Sequence, residues 1–185
     1  MRKALLLLTV VACVAGGCKK EEAKSARLSK KNGLIAKIRE QPEARNIGTK
    51  EGTVEAFIRD INKPPKPAPV VSLEGFFEGN EDEGSIGCNL VQHPGIDSFY
   101  RVLKQIRGRD DVQDVLIEIY EFEDEYADWP FSESVYIVTS ATKEDVTEWM
   151  QPLQPDEIGE GWTGGRPSAA PEVKEGYKVY RAWWD

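Results

Sequence analysis

The sequence predicts an α+β fold in which an antiparallel sheet carries two helices on one face. Segments with strand alternation and segments with helical spacing follow one another in the order strand, helix, strand, strand, helix, strand. Two of these strands are close enough in sequence to form a hairpin. The apolar content of 40% is near the average of globular proteins and is sufficient for a packed core.

The first predicted strand and helix lie in residues 70–108. Residues 70–77 are predicted as a strand, residues 78–84 as an acidic turn, and residues 85–91 as a second short strand. Pro94 suits the first turn of the helix that follows, because a backbone N–H at that position would have no intrahelical partner. The apolar residues of this helix recur at helical spacing: Ile96, Phe99, Leu103 and Ile106.

A hairpin and a second helix come next. Residues 112–122 alternate in character, with Val115, Ile117 and Ile119 on one side, and residues 135–139 alternate in the same way after an acidic turn. Thr142 is followed three residues later by an acid, which is a capping-box pattern for the start of a helix. The predicted buried stripe of this helix contains Val146, Trp149, Met150 and Leu153.

A long loop and a final strand complete the predicted fold. Residues 154–176 are rich in glycine and proline and show no period, whereas residues 177–184 alternate as a strand. The complete order resembles the ferredoxin-like, split βαβ plan (βαββαβ). That resemblance covers residues 70–185 and concerns element order alone. It implies no function, because the plan hosts many functions.

The N-terminal segment has the three parts of a secretory signal. Arg2 and Lys3 are positively charged, an apolar run of about a dozen residues follows, and Gly16 and Gly17 precede Cys18. The run is shorter than the ~20 residues that a spanning helix needs. The segment resembles the lipobox of bacterial lipoproteins, although Ala15 stands where that family usually has a larger aliphatic residue.

The lipobox resemblance implies that Cys18 becomes the first mature residue and carries acyl chains such as palmitate. The protein would then be held at the cell membrane or outer membrane and face the periplasm or exterior. Two alternatives remain open: processing at Cys13, and an ordinary secretory signal without a lipid. After processing at Cys18, Cys88 is the only free thiol, so no internal disulfide can form.

Charge divides the chain into a basic stem and an acidic head. Residues 19–68 contain 13 Lys and Arg against 7 Asp and Glu (+6), while residues 69–185 contain 9 against 25 (−16). The predicted divisions are a signal peptide (1–17), a lipidated stem with a proline-rich spacer (18–69) and an α+β head domain (70–185). The negative head argues against nucleic acid as a partner, because phosphates attract basic surfaces.

The stem is predicted to have little structure of its own. Residues 19–31 are charged and almost free of apolar side chains, so we expect them to be disordered. Residues 33–39 are predicted to form one or two helical turns, and residues 54–61 a short amphipathic helix. The proline-rich residues 63–69 then form a stiff spacer.

No sequence motif of a known catalytic site is present, and we predict a protein that is not an enzyme and has no cofactor. Cys88 and His93 are close in sequence and could form a nucleophile and base or half of a metal site. The favoured interpretation places Cys88 as a buried apolar residue and His93 at the start of a helix. The acidic runs 78–83 and 121–128 offer oxygen ligands for calcium, but neither follows the calcium-loop pattern. They are interpreted as solvated loops without a metal.

Strand alternation places aromatic side chains on the sheet face away from the helices. Aromatic rings in an acidic setting are typical of sites that bind a basic protein or peptide. The alternative is that the loop of residues 154–176 covers this face, with Trp162 or Pro155 packed on it. The predicted binding residues are Tyr120, Tyr136, Tyr180, Trp184 and Trp129.

A second resemblance concerns three short runs at residues 129–132, 155–157 and 180–185. They are similar to runs in uncharacterised small bacterial proteins, some of which are immunity proteins against toxins. This implies an inhibitor that binds a basic toxin through charge complementarity. The sequence favours a lipoprotein that displays a non-catalytic protein- or peptide-binding module, with the immunity-type inhibitor and an envelope hydrolase as alternatives.

Overall fold

The computed structural model describes residues 6–47, 65–122 and 127–185. Its core is a five-stranded sheet in the order β1-β2-β3-β5-β4, and all neighbouring strands are antiparallel. The strands are β1 (Val70–Ser72), β2 (Val112–Glu118), β3 (Ser134–Thr139), β4 (Glu157–Glu160) and β5 (Lys178–Trp183). The helices are α1 (Leu6–Glu40), α2 (Leu73–Phe77), α3 (Ile96–Arg107) and α4 (Lys143–Met150), with 3-10 turns at Pro42–Asn46, Glu83–Ser85 and Gln151–Leu153.

The predicted α+β class is confirmed, and both long helices of the head contribute to one core on the same sheet face. Val115, Ile117 and Ile137 lie on that face and pack in one cluster with Phe99 of α3 and Val146 of α4. All five side chains are fully buried. The hairpin of β2 and β3 forms as predicted, with Val115 opposite Ile137.

The sheet differs from the split βαβ plan in two respects. In a split unit another strand lies between the two strands that a helix connects, whereas β1 pairs directly with β2. The loop predicted for residues 154–176 also contains the edge strand β4. This strand was missed because its four residues include the single apolar side chain Ile158, too few to show alternation.

The start of the head also differs from the prediction. The first strand ends at Ser72, because the Ser72 hydroxyl accepts a hydrogen bond from the Gly75 N–H and caps α2. Residues 85–91 form no second strand; Ile86 makes one isolated bridge with Ser132. Gly108 ends α3 and Thr142 forms a capping box with Asp145 at the start of α4, both as predicted. Helix α3 begins at Ile96 after the N-cap Gly95, however, so Pro94 precedes the helix and does not lie in its first turn.

Helix α1 corrects the expectation that residues 19–31 are disordered. These residues are helical and continuous with residues 33–39, which the sequence predicted as only one or two turns. Leu34 and Ile38 are buried in the core of the head, and this packing stabilises a helix that its charged residues alone do not explain. The predicted helix at residues 54–61 lies outside the described residues.

The segment after α1 also contacts the head. The Gln41 side-chain amide donates to the Val70 carbonyl at 2.9 Å, and its oxygen accepts from the Val70 N–H at 3.1 Å, so it pairs with the edge of β1. Glu43 accepts hydrogen bonds of 2.7 Å from the Ser168 N–H and hydroxyl. Burial opposes ionisation of Glu43, but the bonds from Ser168 outweigh it and lower the pKa of that carboxyl. We call residues 34–47, which make these contacts, the strap.

An ion pair joins α2 to α3 on the same side of the sheet. The Arg107 guanidinium donates to both Glu74 oxygens, and the Nη1–Oε2 distance is 2.7 Å. This bidentate contact lowers the pKa of Glu74 to about 2. Burial raises the pKa of the neighbouring Asp114. The arrangement holds two helices together and leaves neither charge of the pair available to a ligand.

Candidate functional site

The predicted aromatic binding face is covered. Tyr136 does lie on the sheet face away from the helices, but it is fully buried beneath Trp162, with ring centroids 4.6 Å apart. Its hydroxyl donates to Glu118 at 2.7 Å and accepts from the Thr163 N–H at 3.1 Å. The structure therefore matches the alternative in which the loop over residues 154–176 packs on this face through Trp162.

Tyr180 and Trp184 lie on the helix side of the sheet, which corrects their predicted placement. Tyr180 pairs with Ile137 in the β3–β5 register, and Ile137 faces the helices. Trp184 packs against Phe99 with centroids 5.5 Å apart and donates from Nε1 to the Leu153 carbonyl at 2.8 Å. Both side chains are only 2% exposed and are core residues.

Trp129 and Tyr120 lie in different environments at one end of the sheet. Trp129 is 1% exposed and donates from Nε1 to the Phe76 carbonyl at 2.8 Å. Tyr120 is 53% exposed and sets its ring edge-on against Phe131, with centroids 5.8 Å apart. Of the five predicted binding residues, only Tyr120 presents a large accessible ring.

Cys88 and His93 do not form a catalytic pair. The Gly95 N–H donates to His93 Nδ1 at 3.0 Å, so Nε2 carries the proton and donates to the Ile86 carbonyl at 2.8 Å. Both ring nitrogens are thus engaged by backbone. Cys88 is exposed, which corrects the expectation that it is buried, and partial desolvation together with Glu133 raises the pKa of its thiol. A raised thiol pKa disfavours the nucleophilic thiolate.

Asp82 and Glu121, one from each acidic run singled out in the sequence, come together in space. Glu121 pairs with Phe131 in an isolated bridge, and the Ser132 N–H donates to the Ser85 carbonyl at 2.8 Å. These contacts bring the loop around Asp82 beside the end of the hairpin. They enclose a cleft of about 220 Å³. We call it the acidic–aromatic cleft, and the described residues that line it are Asp82, Gly84, Ser85, Glu121, Phe122, Ala127, Trp129 and Phe131.

The acidic–aromatic cleft combines fixed walls with charges that lack an ion-pair partner. The Asp82 carboxylate accepts a hydrogen bond from the Gly84 N–H at 2.9 Å, which holds it in place. Neither Asp82 nor Glu121 has a basic partner within 4.0 Å among the described residues. Trp129 and Phe122 are buried, so their rings are held by the core.

The chemistry of the acidic–aromatic cleft fits a cationic group. Carboxylates attract the positive charge, and the partly exposed ring of Phe131 adds a cation–π contribution of roughly 0.5–1 kcal/mol. The volume suits a single side chain or a small amine. A metal is a poorer match: no group of three or more His, Cys, Asp or Glu residues in the described part of the chain is arranged to hold an ion. Sequence analysis identified both acidic runs but not their juxtaposition.

Comparison with known proteins places this fold in a family. A family model described as the uncharacterised protein YfbO family matches residues 52–182. The chain belongs to the YfbO family. The relative from Escherichia coli (strain K12), described as uncharacterised protein YfbO, is 41% identical over 127 residues, which cover 68% of this chain and 89% of the relative. No solved structure matches the chain.

The YfbO family match covers the whole acidic–aromatic cleft, whereas Cys18 and the strap lie before the matched residues. The match also begins upstream of residue 70, where the sequence predicted the head to start. It identifies the chain as one of the uncharacterised small bacterial proteins that its short runs resembled. No helix in the described ranges has both the length and the hydropathy to cross a membrane.

Proposed function

We propose that the protein is a membrane-anchored lipoprotein whose folded domain binds a cationic segment of a protein or peptide in the acidic–aromatic cleft. The observation that carries the proposal is a cleft in which two carboxylates without an ion-pair partner among the described residues, Asp82 and Glu121, lie beside the partly exposed ring of Phe131, above the buried rings of Trp129 and Phe122. The net charge of −16 over residues 69–185 supports it, because a negative domain speeds the approach of a basic partner. Binding needs no catalytic group.

The binding proposal is tested with a tetra-arginine peptide and the double variant Asp82→Asn/Glu121→Gln. Asparagine retains the Asp82 hydrogen bond to Gly84, and glutamine retains the shape of Glu121, so charge is the main change. We expect the variant to bind about tenfold more weakly by calorimetry, since each lost contact is partly exposed. A tetra-citrulline peptide, which has no charge, should bind neither protein.

The matched control for this experiment is Glu144→Gln/Glu148→Gln, which removes two exposed carboxylates from α4. It makes the net charge less negative by the same two units and leaves the acidic–aromatic cleft intact. We expect its affinity for tetra-arginine to fall less than twofold at physiological salt, where distant charges are screened. Equal losses in the two double variants would mean that net charge alone attracts the peptide, and that the cleft is not its site.

The anchor is proposed from the lipobox-like segment that ends at Cys18. It places the mature protein at the cell membrane or outer membrane, with its domain facing the periplasm or exterior. Cells fed a palmitate analogue should label the wild-type protein and Cys13→Ala, but not Cys18→Ala, because Cys18 is the residue proposed to become the N-terminus and to carry the acyl chains. Equal labelling of Cys18→Ala and wild type, or loss of label in Cys13→Ala alone, would contradict the assignment.

A further inference from the structure

Helix α1 connects the proposed lipid site to the domain without a break. It is continuous from Leu6 to Glu40, so Cys18 lies within the same helix as Leu34 and Ile38. Residues 19–26 are all exposed, and Arg27 forms an ion pair with Glu81 of the domain. We call residues 18–26 the strut. The nine-residue rise from Cys18 to Arg27 corresponds to about 13 Å.

The strut joins the domain beside the acidic–aromatic cleft. Arg27 Nη1 lies 3.3 Å from Glu81 Oε2, and Glu81 precedes the cleft residue Asp82. One turn later, Lys31 Nζ donates to the carbonyl of Ala127, a cleft residue, at 2.7 Å. The cleft therefore lies at the end of the domain from which the strut projects.

The strap fixes the direction of the strut. Ile38 is fully buried and Leu34 is 3% exposed, so α1 cannot roll without exposing apolar surface. Gln41 holds the far end of the helix to Val70 through two hydrogen bonds. Because α1 is a continuous helix held at these points, the position of Cys18 determines where the domain lies, which a flexible tether would not do.

We infer that the acidic–aromatic cleft is held at the membrane-proximal end of the domain, and that its partner is a cationic peptide segment lying on an anionic lipid surface. The inference rests on the proposed function for both the anchor and the cleft. It adds the source of the partner and the role of α1. A lysine of α1, Lys31, lies at the rim of the cleft, where it donates to the Ala127 carbonyl.

The length of the strut suits this geometry. Electrostatic repulsion between the acidic domain and an anionic leaflet is screened over a Debye length of about 8 Å at physiological salt. The strut of about 13 Å exceeds that distance. Its own cations, Lys19, Lys20 and Lys24, lie near the headgroups and are attracted to them. A cationic peptide adsorbed on the leaflet would lie in the gap that the strut spans, where tethering raises its effective concentration.

The inference is tested with the mature full chain carrying Cys88→Ser, coupled through Cys18 to a maleimide lipid. The vesicles contain phosphatidylglycerol and phosphatidylcholine, and the probe is fluorescent tetra-arginine. One variant receives a 14-residue Ala-Glu-Lys helical insertion after Ala26, which lengthens the strut by about 21 Å. The control receives a Gly-Ser insertion of the same number of residues, which adds length without stiffness. Circular dichroism reports the added helix.

We expect the tethered native chain to bind vesicle-adsorbed probe about tenfold more tightly than the untethered chain binds free probe. The helical insertion should abolish this gain, the Gly-Ser insertion should retain part of it, and vesicles of phosphatidylcholine alone should show none. A gain that survives the helical insertion, or equal affinity in tethered and free protein, would overturn the inference and leave the proposed binding intact. Absence of binding by the untethered chain would overturn both.

Discussion

Replacing Trp129 by alanine is expected to lower the free energy of unfolding by about 4 kcal/mol, because it removes a buried indole and leaves a cavity. Trp129 is 1% exposed, and its Nε1–H satisfies the Phe76 carbonyl. Small domains are stable by only about 5–15 kcal/mol, so the loss is a large share of the total. Urea denaturation followed by far-UV circular dichroism measures it.

The variant Trp129→Phe separates the contribution of the aromatic ring to stability from the contribution of its hydrogen bond. Phenylalanine keeps an aromatic wall but leaves the Phe76 carbonyl without its donor, so we expect a loss of about 2 kcal/mol. In this intermediate variant the acidic–aromatic cleft should still bind tetra-arginine. A change of less than about 1 kcal/mol in Trp129→Ala would contradict the placement of this side chain in the core.

Replacing Ile38 by alanine is expected to cost about 3 kcal/mol, the second largest effect. Ile38 is fully buried among head residues although it lies in a helix that the sequence assigned to a separate stem. Loss of its side chain should therefore destabilise the whole domain and not only α1. We expect a single urea transition whose midpoint is lowered equally when it is followed by near-UV and by far-UV circular dichroism.

The matched control for Ile38→Ala is Leu28→Ala. Leu28 lies in the same helix and is 56% exposed, so its truncation should change the free energy of unfolding by no more than about 0.5 kcal/mol. If Ile38→Ala behaved like Leu28→Ala, the strap would not be part of the domain core. If Leu28→Ala cost as much as Ile38→Ala, helix propensity and not burial would be the cause.

Periodicity in the sequence predicted most of the head. Helix α3 and helix α4 showed both a 3.6-residue apolar spacing and end signals, at Gly108 and Thr142 respectively, and both formed where expected. The hairpin of β2 and β3 showed clear alternation. Short elements carried too little pattern: β1 stops at Ser72 because a side-chain cap outweighs the apolar run that continues to Phe77. Local hydrogen bonds of this kind give only a weak signal in the amino-acid composition of the segment.

Tertiary contacts explain the predictions that were wrong. Residues 19–31 are charged and predict disorder, but the anchors that order them, Leu34 and Ile38, come later in the chain and bury only against the head. The sequence prediction placed Tyr180 on the wrong face of the sheet, because the pairing register between β5 and β3 cannot be determined from the sequence of β5 alone. One residue of register moves a strand's side chains to the opposite face.

The acidic–aromatic cleft illustrates the same limit for function. The acidic runs around Asp82 and Glu121 were visible in the sequence as two separate loops, and Trp129 was named for an exposed role that it does not have. The proximity of Asp82 to Glu121 and Trp129 depends on the isolated bridges that hold the loop after α2 to the end of the hairpin. Single bridges have no sequence pattern. Only the folded chain shows that Asp82 and Glu121 share one cleft.

The most direct test of the cleft as a cation site is an NMR titration of the 15N-labelled mature chain with tetra-arginine. The indole N–H of Trp129 is a specific reporter, because Trp129 lines the cleft, whereas Trp149 lies on α4. We predict that the Trp129 indole signal and the backbone amides of Asp82, Glu121 and Phe131 shift with saturation, while the Trp149 indole does not. Shifts centred on α4, or unsaturable shifts spread over the acidic surface, would contradict the account.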